Sequence, residues 1–403
     1  YGDHRDLHRL IRRQRQMCIR DRFFTSNFSR NKERKNIVFI DSPLSPPGGG
    51  QISLCQIIEN LKTFRPFVLV DKKNDFAFRL EQNGIPYCVL KISKFNFLWI
   101  WPKIINIIKI INPAIVHNNG ATTFCSFAFA LASKILNIPF IWHVRVLEKS
   151  RLRDDIIAFL SSKIIVISEE VRNKFRGRWR SKTVKIYNAV DSKNFKPSTE
   201  IALRLKKELN ISHEEKIIGV FSRLAYWKGH ELFLKAAKSL ISKGRKVKFL
   251  IVGDGEEYYN LIQLSKNLNI SDKIIFTGHV ENVVNYMTIC DIIVNPSVEP
   301  EPFGRTIIEG MALGKIIVAS NMGGPKEIIE SGKDGFLTDA DENSLTCTIS
   351  RILDDFEVIS NIGMNALKKA NELFNMENQL MRLNKLYAGI MHERDFDEFN
   401  RCA

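Results

Sequence analysis

Short apolar runs recur along this chain, with a helical stretch between each and the next. They fall at 36–40, 67–70, 87–90, 114–117, 140–143, 164–167 and 184–187, and again at 216–221, 248–252, 274–276, 292–294, 316–319 and 335–337. Strands alternating with helices imply a parallel, doubly wound sheet, and here the scheme runs twice. Residues 188–197 read as the linker between the rounds. The expected fold class is α/β, with two Rossmann-like domains, 36–196 and 197–375, facing a central cleft. Ligands of such sheets bind beyond the carboxyl ends of the strands. Further on, 376–391 carries Leu380, Met381, Leu383, Leu386, Tyr387 and Ile390 at a helical period, expected to be a C-terminal helix, and 392–403 is left as a tail.

At 403 residues the chain is long enough for two cores. Its seven cysteines are scattered, with no Cys-x-x-Cys, which argues against a disulfide framework or zinc site and fits a reducing cytoplasm. No uninterrupted apolar run reaches membrane-spanning length. The formal net charge is +16, and residues 1–35 hold 11 Lys/Arg and 4 Asp/Glu, so this basic extension carries +7 of it. Residues 1–22 lack an initiator Met and the apolar core of a signal peptide. They resemble translated adapter sequence and are expected to be non-native and poorly packed. The remaining +9 suits an acidic ligand or an anionic membrane surface. The usual basic-aromatic modules of nucleic-acid binding are not found.

Residues 301–312 concentrate the chemistry. Glu301 and Glu309 bracket seven residues, and Gly304 stands where a helix would begin, ahead of Arg305 and Thr306. Ile307, Ile308, Met311 and Ala312 have the spacing of one buried helix face, and Glu309 lies off it, free to point at a ligand. A helix start offers unpaired N–H groups and the positive end of a dipole, a seat for phosphate. Carboxylates at that mouth suit a phosphorylated sugar, whose hydroxyls want acceptors and whose phosphates want donors. A plainer reading also stands: Glu301 complements the dipole, and Arg305 with Glu309 forms a surface i, i+4 ion pair.

The stretch 221–230 follows a strand and enters a helix, with Arg223 and Lys228 five residues apart. A cation at a helix start opposes the dipole, and a bound anion reverses that cost. The two cations would clamp a diphosphate through charge-assisted hydrogen bonds, or else be solvated loop residues. Gly48, Gly49 and Gly50 follow the first strand and precede a helix near 51–61; they let backbone approach a phosphate or sugar, or simply make a tight turn. They form neither a dinucleotide fingerprint nor a Walker loop. Gly253-Asp254-Gly255 reads as a sharp turn; Gly323-Gly324 reads as a turn or as a loop presenting N–H groups to the cleft. His143 should emerge at the carboxyl edge of the first sheet, placed to contact a sugar hydroxyl or sense developing charge, whereas His117 reads as structural. Ser168, Glu169 and Glu170 read as an N-cap with an acidic first turn. Residues 95–111, with aromatics, isoleucines, Lys103 and Lys109, fit a core-packed helix or an amphipathic helix on lipid headgroups.

Taken together, Arg223-x4-Lys228-Gly229, Val252-Gly253-Asp254-Gly255, Phe276-Thr277-Gly278, Pro296-Ser297, Glu301-x7-Glu309 and Gly323-Gly324-x2-Glu327 resemble, in order and spacing, the motifs of the retaining glycosyltransferases of family 4, which have the GT-B fold. Ile186, Tyr187, Asn188, Ala189, Val190, Asp191 and Phe195 resemble that family's interdomain stretch, with Ala189 where glycine is commoner. The resemblance covers about 36–391 and is densest from 184 to 340. It implies that Arg223 and Lys228 neutralise a leaving diphosphate, and that Glu301 and the backbone of Phe303, Gly304 and Arg305 address the donor sugar. It also implies that Glu309 takes the ribose hydroxyls, Val280 lies near the base and His143 faces the sugar from the other domain. Gly49, Gly50 and Thr306 complete the expected nucleotide-sugar set.

The implied activity is transfer from a nucleotide diphosphate sugar to a hydroxyl of a glycan or lipid-linked acceptor, in cell-envelope polysaccharide synthesis. No metal and no cofactor is implied. The implied place is the cytoplasm or the inner face of the plasma membrane. A nucleotide-sugar epimerase on the same architecture and a non-catalytic nucleotide-sugar-binding protein are the alternatives; the glutamate pair with both cations favours transfer.

Overall fold

The computed structural model describes residues 34–41, 48–92, 99–120, 123–148, 150–191, 195 and 197–402. The expectations for residues 1–22, and for 95–98 of the aromatic stretch, lie outside the described residues. The first sheet contains β1 (Asn36–Asp41), β2 (Arg65–Val70), β3 (Tyr87–Val89), β4 (Pro113–Asn119), β5 (Phe140–Val144), β6 (Lys163–Val166) and β7 (Thr183–Lys185), in the order β3-β2-β1-β4-β5-β6-β7. The second contains β8 (Lys216–Phe221), β9 (Val247–Val252), β10 (Ile274–Gly278), β11 (Ile292–Asn295), β12 (Ile316–Ser320) and β13 (Phe336–Thr338), in the order β10-β9-β8-β11-β12-β13. Every adjacent pair is parallel. Helices cover both faces of such sheets, so central strands are apolar on both sides, and Ile37, Val38, Phe39 and Ile40 are all buried.

Register sets the site. Asp41 stands opposite Asn119, and Asn119 opposite His143, so three polar side chains line up across the carboxyl edge of the first sheet. In the first domain α1 (Gly49–Asn60), α2 (Trp101–Ile111), α3 (Phe124–Ile135) and α4 (Arg151–Leu160) are the helices that matter below. In the second they are α5 (His230–Ser242) and α6 (Arg305–Ala312). Four helices end beside an asparagine in the left-handed conformation (Asn112, Asn137, Asn210 and Asn269), the short polar residue that best tolerates it after glycine.

On α2, Ile104, Ile107, Ile108 and Ile111 are buried, so its apolar face packs on the core and is not free for lipid. Trp99 just before it is 85% exposed. The last helix, α7 (Met376–Cys402), runs beyond 391. It returns to the first domain, where Leu383, Tyr387 and Ile390 are buried with Ile37, Phe39, Leu54 and Ile115. At the hinge Val190 N–H donates to the Phe374 carbonyl at 2.8 Å, and Gln379 Nε2 donates to the Tyr187 carbonyl at 2.7 Å.

Candidate active site

On the second domain the chain leaves β8, makes a tight turn over Tyr226–Lys228, and enters α5 through Gly229. Gly229 has φ +71°, and a Cβ there would lie 1.8 Å from the Pro296 carbonyl oxygen. The turn therefore lies flat on the segment after β11, where Val298 N–H donates to the Trp227 carbonyl at 2.9 Å. This approach delivers Lys228 to Glu301: Nζ and Oε1 are 2.5 Å apart, with both side chains almost buried. Glu301 Oε2 accepts from Ser297 Oγ at 2.8 Å and Asn295 Nδ2 at 3.1 Å. Burial works against an ionised carboxyl, yet Lys228, Ser297 and Asn295 hold Glu301 below the usual carboxylate range. Lys228 lies one residue before the N-cap Gly229, and its partner is this carboxylate. Gly324 N–H donates to the Glu301 carbonyl at 2.7 Å, so that amide braces the carboxylate's backbone and is not free to face the cleft.

The diphosphate clamp expected of Arg223 and Lys228 is not preformed. Arg223 Nη2 lies 3.0 Å from Glu256 Oε2, and both side chains are more than half exposed. The turn over Gly253, Asp254 and Gly255 packs on the loop that carries Arg223 and brings Glu256 to it. An exposed pair of this kind contributes about 0–1 kcal/mol, so an incoming anion displaces it easily.

Helix α6 starts after Gly304, whose φ of +103° demands glycine. Ile307, Ile308 and Met311 are buried as expected, while Ala312 is only half-buried. Glu309 is not free: Arg305 Nε donates to its Oε1 at 2.5 Å, and the pair is buried where a surface pair was expected. The cause lies in the other domain. Arg305 Nη1 also donates to Ser53 Oγ at 3.1 Å and to the Gly49 carbonyl at 3.3 Å, so α1 closes over this side of α6. Gly49 and Gly50 form the first turn of α1 instead of a loop ahead of it. Cβ atoms on them would meet the Arg305 and Arg145 stems at 3.6 and 3.0 Å. The Phe303 side chain packs on Tyr187 and Phe374, with ring centroids 5.9 and 6.1 Å away, and its backbone lies against Gly324, where a Cβ would come within 2.4 Å of the Phe303 carbonyl oxygen, so the expected sugar contact from this backbone is covered. Thr306 and Val280 are half-buried.

His143 stands fully buried across the cleft. Its Nδ1 is 3.2 Å from His117 Nε2 and 3.4 Å from Arg145 Nη2, and His117 Nδ1 is 2.7 Å from the Tyr387 hydroxyl. A guanidinium only donates, so His143 Nδ1 accepts. His117 Nε2 then carries its proton, and its Nδ1 accepts from the Tyr387 O–H. His143 Nε2 is left as the N–H, and it has no partner among the described residues. Burial, then the Arg145 charge, pushes His117 down to about 3. Burial, Arg145 and His117 together push His143 well below the ordinary imidazole range. Both rings are neutral at pH 7.

Arg145 Nε donates to Asn119 Oδ1 and Nη1 to Asn188 Oδ1, both at 2.5 Å. Asn119 Nδ2 and Gln51 Nε2 each donate to the Asp41 carboxylate at 2.8 Å. Burial raises Asp41 to about 6, against the pull of Asn119, Gln51 and Arg145, and burial lowers Arg145 to about 9. Sequence reasoning missed Arg145, Asn119 and Tyr387 as partners of this centre. Their signals were a cation straight after an apolar strand and a phenol on a buried helical stripe.

Ser168 caps its helix by accepting from Val171 N–H at 3.1 Å and also donates to the Pro302 carbonyl at 2.6 Å. Glu327, from the second domain, is held by the first: it accepts from Tyr187 Oη at 2.6 Å and Glu169 N–H at 2.7 Å, and pairs with Lys185. Among the described residues no three His, Cys, Asp or Glu are grouped to hold a metal ion. Nor is any described helix long and apolar enough to cross a membrane.

Two Rossmann-like domains facing a cleft, with cation–carboxylate pairs at the mouth of a helix in the second, make this a GT-B fold of the glycosyltransferase class. The Glycosyltransferase Family 4 model matches residues 47–194, and the Glycosyl transferases group 1 model matches residues 203–369. Between them they take in both domains, and the chain belongs to the family 4 glycosyltransferases.

The N-acetyl-alpha-D-glucosaminyl L-malate synthase of Bacillus anthracis is 30% identical over 209 residues, 52% of this chain and 54% of that protein. The capsular polysaccharide biosynthesis glycosyltransferase CapM of Staphylococcus aureus is 24% identical over 258 residues, 60% of this chain and 66% of that protein. The chain thus spans somewhat over half the length of these curated relatives. The Anabaena protein HepE, solved in complex with UDP and glucose, superposes with a TM-score of 0.80 at 25% identity, over 88% of this chain and all of that one.

Proposed function

We propose that this protein moves a hexose-type sugar from a nucleoside diphosphate donor to a hydroxyl of a glycan or lipid-linked acceptor, with the anomeric configuration retained. The observation that carries this is the buried Lys228–Glu301 pair at the mouth of α6. A diphosphate entering there takes Lys228 from Glu301 and Arg223 from Glu256. Glu301, released, accepts hydrogen bonds from sugar hydroxyls. The first amides of α6, from Gly304, Arg305 and Thr306, face the phosphate. Glu309 takes the ribose hydroxyls beside Arg305, Val280 lies by the base, and the α1 turn at Gly49 and Gly50 closes over the donor. His143 Nε2–H donates to a sugar oxygen.

The bond from the anomeric carbon to the phosphate oxygen breaks as the acceptor oxygen attacks on the same face. The departing phosphate takes the acceptor's proton. The barrier falls chiefly because charge building on the leaving diphosphate meets preorganised cations and amides. This reading needs no metal ion and no cofactor. HepE's ligands favour a uridine diphosphate sugar as donor, and the capsular relative favours a cell-envelope polysaccharide as the product.

Incubating the protein with labelled uridine-, guanosine- and adenosine-diphosphate sugars, with and without a lipid-linked acceptor, tests the proposal. Acceptor-dependent labelling is expected, undiminished in EDTA. Donor conversion without acceptor would mark an epimerase, and binding without turnover a non-catalytic binder.

A further inference from the structure

Exposed apolar side chains are unremarkable singly, but not as a stripe at helical spacing over two neighbouring helices. On α4, Leu152, Ile156 and Phe159 follow an i, i+4, i+7 pattern and are 75%, 36% and 60% exposed. On α3, which packs beside α4, Leu131 and Ile135 are 38% and 64% exposed. These residues are surplus to the core, because both helices already bury other side chains inward: Ile157 and Ala158 from α4, and Ala128, Phe129 and Ala132 from α3.

Cations border the stripe. Lys182 donates to the carbonyls of Ala158, Phe159 and Ser161 at 3.1, 3.3 and 2.8 Å, which fixes it beside Phe159. After burial, what lowers its pKa is the charge of Lys134, Arg178 and Lys163, so four cations share this end of α3 and α4. Arg151 and Arg153 stand exposed beside Leu152 at the other end. Carboxylates nearby include Asp155, exposed on α4, Asp154, buried and paired with Lys174 at 3.0 Å, Glu148, exposed just before α4, and Glu393, 3.7 Å from Lys163. Both helices follow strands of the first sheet, so their starts lie at its carboxyl edge, next to the cleft.

We propose that this face docks on an anionic lipid surface, its apolar stripe entering the acyl boundary and its cations meeting the headgroup phosphates. Apolar side chains flanked by Lys and Arg on one side of a helix are the pattern such surfaces bind. A second copy of the chain fits worse, since two such cationic borders would face each other. The docking lays α3 and α4 along the surface, with Arg151 and Arg153 at their cleft-side starts and the four cations at the opposite end. It goes beyond the transfer chemistry and does not depend on it, because vesicle binding is measured without any sugar.

The test is co-sedimentation of the full chain with vesicles of equal parts phosphatidylglycerol and phosphatidylcholine, against vesicles of phosphatidylcholine alone. Binding to the anionic vesicles is expected, and at least about tenfold weaker binding to the neutral ones. Leu152→Ser with Phe159→Ser should weaken it at least about tenfold, as should Lys134→Glu with Arg178→Glu. Leu203→Ser with Met381→Ser, exposed elsewhere, should leave it unchanged. All four positions on the stripe and its border are exposed, so thermal melts should match wild type. Equal binding to both vesicle types, wild-type binding by either stripe or border variant, or a dimer in sedimentation equilibrium that the stripe variant dissolves without any vesicle binding would each overturn the proposal.

Discussion

His117 Nε2 lies 3.2 Å from His143 Nδ1, with both rings fully buried. Tyr387 anchors the far end of this chain and Arg145 fixes its direction. The phenol therefore serves as the donor that satisfies His117. Tyr387→Phe keeps the ring packed and leaves His117 Nδ1 a buried acceptor without a partner. Denaturant unfolding should show a loss of about 1–3 kcal/mol. A loss within error of zero would mean that the phenol does not donate.

The same centre predicts a pH dependence. Folding depresses both histidines, so their contribution is present above the unfolded value near 6.5 and is lost as pH falls below it. Asp41 runs the other way: raised to about 6, it contributes stability below the unfolded value of 3.8 that is lost as pH rises through about 6. From pH 7.5 to 5.5 the two histidines should cost the fold about 3 kcal/mol, partly offset by Asp41. Urea midpoints should fall across that window, more steeply in Asp41→Asn. A wild-type protein that gains stability toward pH 5.5 would contradict the assignment.

Lys228→Ala leaves Glu301 buried without its cation and should cost about 3–5 kcal/mol of stability. Arg223→Ala removes an exposed pair and should cost under about 1 kcal/mol. Both should lower sugar transfer at least about tenfold, because a charged hydrogen bond is worth about 1.5–3 kcal/mol and ~1.4 kcal/mol is a decade in rate. Adding Glu301→Gln to Lys228→Ala should restore stability without restoring transfer. Wild-type turnover in both single variants would remove the diphosphate clamp.

Gly229 and Gly244 share a left-handed φ, +71° and +73°, but a Cβ at 244 meets nothing within 4 Å. Gly244→Ala should therefore cost only the backbone strain, about 1–2 kcal/mol. Gly229→Ala also drives a carbon into the Pro296 carbonyl and lifts Lys228 off Glu301. Thermal shift with UDP should persist in Gly244→Ala and vanish in Gly229→Ala. Similar shifts in both would show that the turn yields without moving Lys228.

The strand runs were legible because apolar residues crowd both faces of these sheets. Their ends were less so: β4 continues past the apolar run to Asn118 and Asn119, polar residues at a functional edge. Beyond Lys185, Ile186 and Tyr187 look like strand but turn into the hinge, where Tyr187 meets Phe303, Phe374 and Glu327. The positions of Glu301 and Lys228 could be read from spacing, since each sits at a fixed offset from a helix start. Their pairing could not, because it depends on Gly229 meeting Pro296, residues 67 apart in the chain. The Arg305–Glu309 pair could be read from its i, i+4 spacing, but its burial could not: α1, which brings Ser53 and Gly49 to Arg305, belongs to the other domain.

Leu383, Tyr387 and Ile390 leave the ribosome only after the whole second domain, although they complete the hydrophobic centre around Phe39 and Ile115. Until they arrive, the first-made half of the protein has an open seam along its middle, and His117 has no phenol beside it. Nascent chains should therefore stay protease-sensitive in that half until this helix has emerged, however early its seven strands have done so.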